Sequence, residues 1–259
     1  MAPDRAKVYC IRVMEGCEKK HGKPIEAKGG MGWLHKLADA APNPIKVIRP
    51  AKPKPKLTID QCVAMQVQFA AAAGDAYVTR FADELGVQAA SLHRLGIGWC
   101  AKRACWTFPM RDASAAIVGF RTRRADAKRS IPGGRNGLFI PHFFRASDPV
   151  CIAEGPTDTA AMLTLGFECI GRSHCTGNVP EIVELLRGYR GSVWIMADGD
   201  EAGVEGAIRL AEHLSQRVKI LTPGQHKDIR AWVKAGATRE MVLSMARNAR
   251  YWLQRGVAA

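Results

Sequence analysis

Two acidic motifs stand out for the chemistry their residue types could perform. Glu154-Gly155 follows the apolar run 149–153 (PVCIA), and Asp198-Gly199-Asp200 follows 192–197 (SVWIMA). If both runs are neighbouring strands, Glu154, Asp198 and Asp200 project from one edge of a sheet. Two unpaired carboxylates about 4 Å apart repel by roughly 4 kcal/mol at an effective dielectric near 20. Such a cluster calls for a cation, a shared proton or an arginine partner. Hard oxygen donors favour Mg²⁺ or Mn²⁺. The glycines let the backbone turn tightly and admit a phosphate. Taken singly, each motif reads equally as a turn or as a helix cap, since Asp caps helices well. Their joint placement after two strands is what points to a metal-dependent phosphoryl-transfer site.

The elements that must hold these acids follow from the pattern around them. From 149 onward, short apolar runs at 149–153, 167–171, 192–197 and 217–221 alternate with helical stretches at 156–165, 180–188 and 201–215. That alternation predicts a parallel sheet with helices on both faces. Ligands of such sheets sit beyond the carboxyl ends of the strands, where both motifs fall. Before it, residues 105–140 hold short β-rich runs split by turns at 112–114 and 133–137, and they are studded with arginine. Arg121, Arg123 and Arg124 read either as phosphate ligands or as a solvated strand face. Helices are expected at 59–73, opened by Thr58, and at 75–85 and 88–94. Further helices at 227–235 and 238–254 close the chain.

Glu154-Gly-x-x-Asp158 and, about 40 residues on, Asp198-Gly-Asp200-x-Ala-Gly203 resemble the Toprim domain shared by primases, topoisomerases and some nucleases. The resemblance covers about 149–235. It implies a Rossmann-like α/β fold, divalent metal on Glu154, Asp198 and Asp200, and a further catalytic acid at Asp158. Lys227-Asp228 resembles the Lys-Asp after the last Toprim strand, which adds Asp228 to the metal ligands and Lys227 to the phosphate contacts. The family's second acid in that motif is replaced by Arg230, so a second full metal site is not expected. Phe108-Pro-Met-Arg111-Asp112, Ile117-Val-Gly119-Phe120-Arg-x-Arg123, Lys128-Arg-Ser130 and Gly137-Leu-Phe139 resemble the basic subdomain of DnaG-type and T7-type phage primases. With it, the resemblance spans 91–235. It implies that Arg111, Arg123 and Lys128 contact nucleotide or template phosphates. The expected activity is synthesis of short primers, RNA in this family, from NTPs on a single-stranded DNA template. The alternatives are a Toprim nuclease and a non-catalytic single-strand-binding replication protein.

The expected order is an N-terminal piece 1–41, a stiff Pro/Lys linker 42–57, the basic subdomain 58–148 (helical, then β-rich), Toprim 149–235 and a C-terminal helix 236–259. Cys10, Cys17, His21 and His35 stand where a zinc module is usual, but they lack a C-x2-C knuckle, so zinc is not expected. The other cysteines among apolar residues read as reduced core thiols. His174-Cys175 has no orienting acid and is not expected to act as a nucleophile. Arg172 or His174 could touch phosphate, or 171–178 could be a loop capped by Asn178.

Charge supports a polyanionic partner. The net charge is +14, with 13 Lys/Arg against 5 acids in 1–56 and 11 against 3 in 91–148. No apolar run approaches the roughly 20 residues needed to span a bilayer, and the N-terminus is polar, so a cytoplasmic protein with no membrane partner is expected. No GxxxxGK[ST] loop occurs, so any helicase is expected to be a separate partner.

Overall fold

The computed structural model describes residues 7–10, 25–26, 33–36, 56–124 and 127–253. The chain divides into two compact units, Met1–Pro53 and Lys54–Ala259. The first holds three short antiparallel strands, β1 (Lys7–Cys10), β2 (Ile25–Glu26) and β3 (Trp33–Lys36), in the order β1-β3-β2. Cys17, His21 and most of the expected linker lie outside the described residues.

The second unit opens with α1 (Ile59–Ala72). Thr58 and Gln61 form a reciprocal capping box there, which satisfies two otherwise orphaned N–H groups. Helices α2 (Asp75–Leu85) and α3 (Ala89–Arg94) follow, and Gly86 ends α2 in the left-handed region. Next comes an antiparallel sheet of β4 (Gly98–Cys100), β5 (Cys105–Arg111), β6 (Ile117–Arg123) and β7 (Lys128–Ser130), in chain order. Its own small core of Cys62, Ile117, Phe120 and Ile131 is closed by α1.

The remainder is the expected α/β layer. Strands β8 (Val150–Glu154), β9 (Cys169–Arg172), β10 (Ser192–Met196) and β11 (Arg217–Leu221) pair in parallel, in the order β11-β10-β8-β9. Helices α4 (Pro156–Thr164), α5 (Val179–Leu185), α6 (Glu201–Ala211), α7 (Ile229–Lys234) and α8 (Arg239–Asn248) complete it. Alternate strand residues feed two cores. Cys151, Ala153, Trp194 and Met196 pack with α2, α4 and α8, while Ile152, Ile170, Val193 and Ile195 pack with α5 and α6. Both faces are covered, which is why the central strands β8 and β10 read as nearly unbroken apolar runs.

The two sheets are joined by main-chain pairing. Leu138 bridges Arg111 of β5 and Phe139 bridges Gly171 of β9, each with two hydrogen bonds of 2.7–2.9 Å. The run 138–140, read as a strand, is this connector. A Cβ at Gly137 would lie 2.5 Å from the Arg111 carbonyl oxygen, so only glycine allows the close approach.

The C-terminal helix is shorter than the expected 238–254. It stops at Asn248, Ala249 is extended, and Tyr251 pairs with Lys219 at the free edge of β11. Lys219 Nζ donates to the Ala246 carbonyl and sits 4.6 Å from the Tyr251 ring centre. Edge pairing therefore outcompetes further helix in this segment. Among the described residues, no helix is long and apolar enough to cross a membrane.

Candidate active site

Strand order reverses beside β8: β9 lies on one side of it, while β10 and β11 lie on the other. A cleft opens at such a switch point, because the chain leaves the two central strands in opposite directions. Glu154 ends β8, and Asp198 lies two residues beyond β10. The neighbouring placement on which the sequence argument depended is therefore met.

The cleft measures about 470 Å³ and is lined by side chains of both charges. Glu154, Asp158, Asp198 and Asp228 line it together with Arg121, Arg123, Lys128 and Lys227. Gly155 holds φ +85°, and Pro156 begins α4 at once, which turns Asp158 inward from the first helical turn. Asp158 is 5% exposed and accepts from the Arg230 N–H at 3.3 Å. Asp228 caps α7 through the Ala231 N–H at 2.6 Å and meets the Arg230 guanidinium at 3.5 Å. The Gly199 N–H donates to the Lys227 carbonyl at 2.9 Å, tying the Asp198 loop to the Lys227-Asp228 turn.

Two expected residues stand apart. Asp200 caps α6 through the Gly203 N–H at 2.8 Å and does not line the cleft. The Arg111 guanidinium donates to the Ala115 carbonyl at 2.8 Å and likewise lies outside it. The solvated-face reading fits Arg124, which is exposed, but not its neighbours on β6. Arg121 reaches the Ser173 carbonyl at 2.7 Å, and Arg123 approaches the Thr157 hydroxyl at 3.5 Å. Both bind the antiparallel sheet to the α/β layer.

The acids repel one another. Burial, then the charges of Asp228 and Asp198, push the Asp158 carboxyl up to about 7, with Arg230 opposing. Burial, then Glu154, Asp228 and Asp200, push Asp198 up to about 6, with Lys128 opposing. One buried oxygen of Glu154 has no hydrogen-bond partner. As the side chains stand, no three acidic, His or Cys groups among the described residues converge to enclose an ion. The donor chemistry nonetheless fits a hard divalent cation: an unsatisfied carboxylate oxygen beside carboxyls whose protons are held by burial and then by mutual repulsion.

Arg172, a candidate phosphate contact, is 1% exposed and does not line the cleft. It pairs in register with Glu154, and its Nη1 donates to the carbonyls of Cys175 and Gly206. Burial lowers the hold of this guanidinium on its proton, while Glu154, Cys175 and Asp198 raise it. It is a fixed cation beneath the acids. Asn178 starts α5 in the left-handed region without a side-chain cap bond; its oxygen accepts from the backbone and hydroxyl of Ser173 instead. His174 does line the cleft, as do Asn136 and Thr157, single polar residues that carry no pattern in the sequence. Cys62, Cys100, Cys105, Cys151 and Cys169 are buried free thiols, and Cys175 is a half-buried one.

The family described as Toprim-like matches residues 151–232, which contain every acid of the cleft. This stretch is a Toprim domain. No curated protein matches the sequence. Among solved structures, the DnaG primase catalytic domain bound to ssDNA aligns with TM-score 0.58 at 16% identity, over 74% of this chain and 78% of that one. The E. coli primase catalytic core aligns with TM-score 0.58 at 14% identity, over 74% and 80%. The primase domains of bacteriophage T7 gp4, bound to an RNA/DNA hybrid, align with TM-score 0.52 at 18% identity, over 65% and 91%. These likenesses are of fold. The Toprim domain and the basic β sheet before it together have the architecture of a primase catalytic core.

Proposed function

We propose that this chain is a DNA primase, a nucleotidyltransferase that joins NTPs into short primers, RNA in kind, on single-stranded DNA. The observation that carries this reading is the mixed-charge cleft, in which Glu154 and Asp198 at the strand switch point share one hollow with Arg123, Lys128 and Lys227. A primer 3′-hydroxyl would attack the α-phosphorus of an incoming NTP, and pyrophosphate would leave. Glu154 and Asp198, with Asp228 at the rim, would hold Mg²⁺ or Mn²⁺, and Asp200 would add negative charge from the α6 cap. A divalent cation there polarises phosphoryl oxygens and neutralises developing charge.

The chain's own groups do the rest. Lys128 and Lys227 are exposed and free to follow a triphosphate, while half-buried Arg123 is fixed against Thr157. Asp158 holds the Arg230 backbone and so sets where Asp228 stands. Arg230 supplies a cation beside Asp228, which favours one firmly held ion over two.

The test is to incubate the protein with Mg²⁺ or Mn²⁺, labelled NTPs and single-stranded DNA. Oligonucleotide products are expected, and Glu154→Ala and Asp198→Ala should each abolish them while the melting curve is retained. Shortened DNA would mean a nuclease, and binding without turnover would mean a single-strand adaptor. Continued synthesis by both variants would remove the site assignment.

A further inference from the structure

Two cysteines face each other at the end of a hairpin. Cys100 ends β4, Cys105 begins β5, and the two are paired in register. Residues directly opposite in an antiparallel pair have Cα atoms about 4.5 or 5.5 Å apart, depending on the hydrogen-bonding pattern. Both separations lie inside the roughly 4.4–6.8 Å that a disulfide spans. One turn of 3₁₀-helix (Ala101–Arg103) and Ala104, in the left-handed region, join the strands. The side chains meet as well. Burial, then Cys100, push the Cys105 thiol up, Arg124 and Arg103 oppose them, and a side-chain hydrogen bond with Cys100 adds to the rise.

The setting of this pair differs from that of the other buried thiols. Cys62, Cys151 and Cys169 each belong to a hydrophobic cluster, whereas Cys100 and Cys105 belong to none of those among the described residues. Packing therefore does not account for a thiol at both positions. Cys151 and Cys169 are also paired in register, but both are 0% exposed and β8 is a central strand. Cys100 is 6% exposed and Cys105 2%, so neither reacts while the hairpin is closed. The hairpin end can open. Residues 101–104 are all exposed, and β4 is a three-residue edge strand. Short edge elements with exposed backbone sit at the low end of local stability. Opening brings both thiols to solvent beside Lys102 and Arg103, cations that favour the thiolate.

We propose that Cys100 and Cys105 form a dithiol site, separate from the catalytic cleft, that a small disulfide oxidant closes reversibly into a cross-strand disulfide. When the hairpin end opens, Cys100, the more exposed thiol, gives its proton to water and its sulfur attacks one sulfur of oxidised glutathione. One glutathione leaves as thiolate and takes up a proton, and Cys100 is left in a mixed disulfide. Cys105 loses its proton and attacks the Cys100 sulfur, and the second glutathione leaves in the same way. The protein has given up two electrons and two protons, and the oxidant has taken both to become two thiols. The new bond staples β4 to β5, the strand that pairs with β6 and its Arg121 and Arg123.

The test uses the full chain without metal, NTP or DNA, so its outcome is independent of the primase reading. Native protein is incubated with excess oxidised glutathione, its remaining thiols are blocked with N-ethylmaleimide, and tryptic peptides are mapped by mass spectrometry. Trypsin cuts after Lys102 and Arg103, so only a disulfide keeps the Cys100 and Cys105 peptides together. That linked pair is the expected product, and dithiothreitol should separate it. Cys105→Ala should stop at Cys100 carrying one glutathione. Amide hydrogen exchange across 98–107 should slow in oxidised wild type and not in treated Cys105→Ala. The wild-type map carries the test even if the variant disturbs folding. Cys100 and Cys105 both found blocked as free thiols, a bond from either to another cysteine instead, or exchange that does not slow on oxidation would each overturn the proposal.

Discussion

Asp158→Asn should make the folded protein more stable at alkaline pH while removing its activity. The Asp158 carboxyl is 5% exposed and faces the negative charges of Asp228 and Asp198, which with burial raise it from 3.8 to about 7. Below pH 3.8 both folded and unfolded chains hold the proton, and the group costs nothing. Between 3.8 and about 7 the unfolded chain releases it and the folded chain does not, so rising pH favours unfolding. Above about 7 the full cost remains, about 4 kcal/mol at 1.36 kcal/mol per tenfold step. Between about pH 5 and pH 8 this single group therefore removes about 3 kcal/mol of stability, or about 5 to 10 °C in melting temperature for a unit of this size. Asparagine keeps the shape and an oxygen for the Arg230 N–H but carries no charge. Thermal melts in EDTA across that range, wild type against Asp158→Asn, measure the difference directly. The variant should lose less stability with rising pH and melt higher at pH 8. Parallel pH slopes for the two proteins, or a variant that melts lower at pH 8, would refute the electrostatic account of this site. Greater stability with lost nucleotide incorporation would mark Asp158 as a functional residue kept at a stability cost.

Arg172→Met leaves half-buried Glu154 without the cation paired with it in register and the Cys175 and Gly206 carbonyls without their donor. Breaking such an arrangement costs about 3 to 5 kcal/mol; urea melts should show this, and Arg172→Lys should restore part of it. Gly203→Ala places a Cβ 2.8 Å from the Asp198 carbonyl oxygen and 2.9 Å from the Asp198 Cβ. It should cost about 1 to 3 kcal/mol by overpacking and raise the Mn²⁺ concentration needed for half-maximal incorporation. Lys128→Ala and Lys227→Ala remove exposed cations from the cleft and should raise KM for NTP more than they lower kcat, as steady-state kinetics would report.

Much of the α/β layer was legible because its signals are local. The four parallel strands fall within two residues of their expected spans, since buried strands must be apolar throughout. The Thr58 and Gly86 boundaries follow from caps that the residue types announce. Weaker signals failed where tertiary contacts decided. Helix α8 stops at Asn248 because Tyr251 is drawn to the open edge of β11. The run 138–140 is a connector between sheets, a role no periodicity encodes.

The site divides along the same line. The sequence determined which residue types stand at the strand ends, and so singled out Glu154 and Asp198 as candidates for a hard-cation site. The tertiary structure decided their company. Strand order put β8 beside β10 and so made Glu154 and Asp198 neighbours. It engaged one oxygen of exposed Asp200 in the α6 cap, bonded the Arg111 guanidinium to the Ala115 carbonyl, and buried Arg172 beneath the acids. It also set Phe81, Trp99 and Trp106, scattered over 26 positions, into one groove. Spacing along the chain specifies only what lies within a helix turn or a strand. Distances between segments are set by how the sheets and helices pack, and that is where charge, burial and access to substrate were settled.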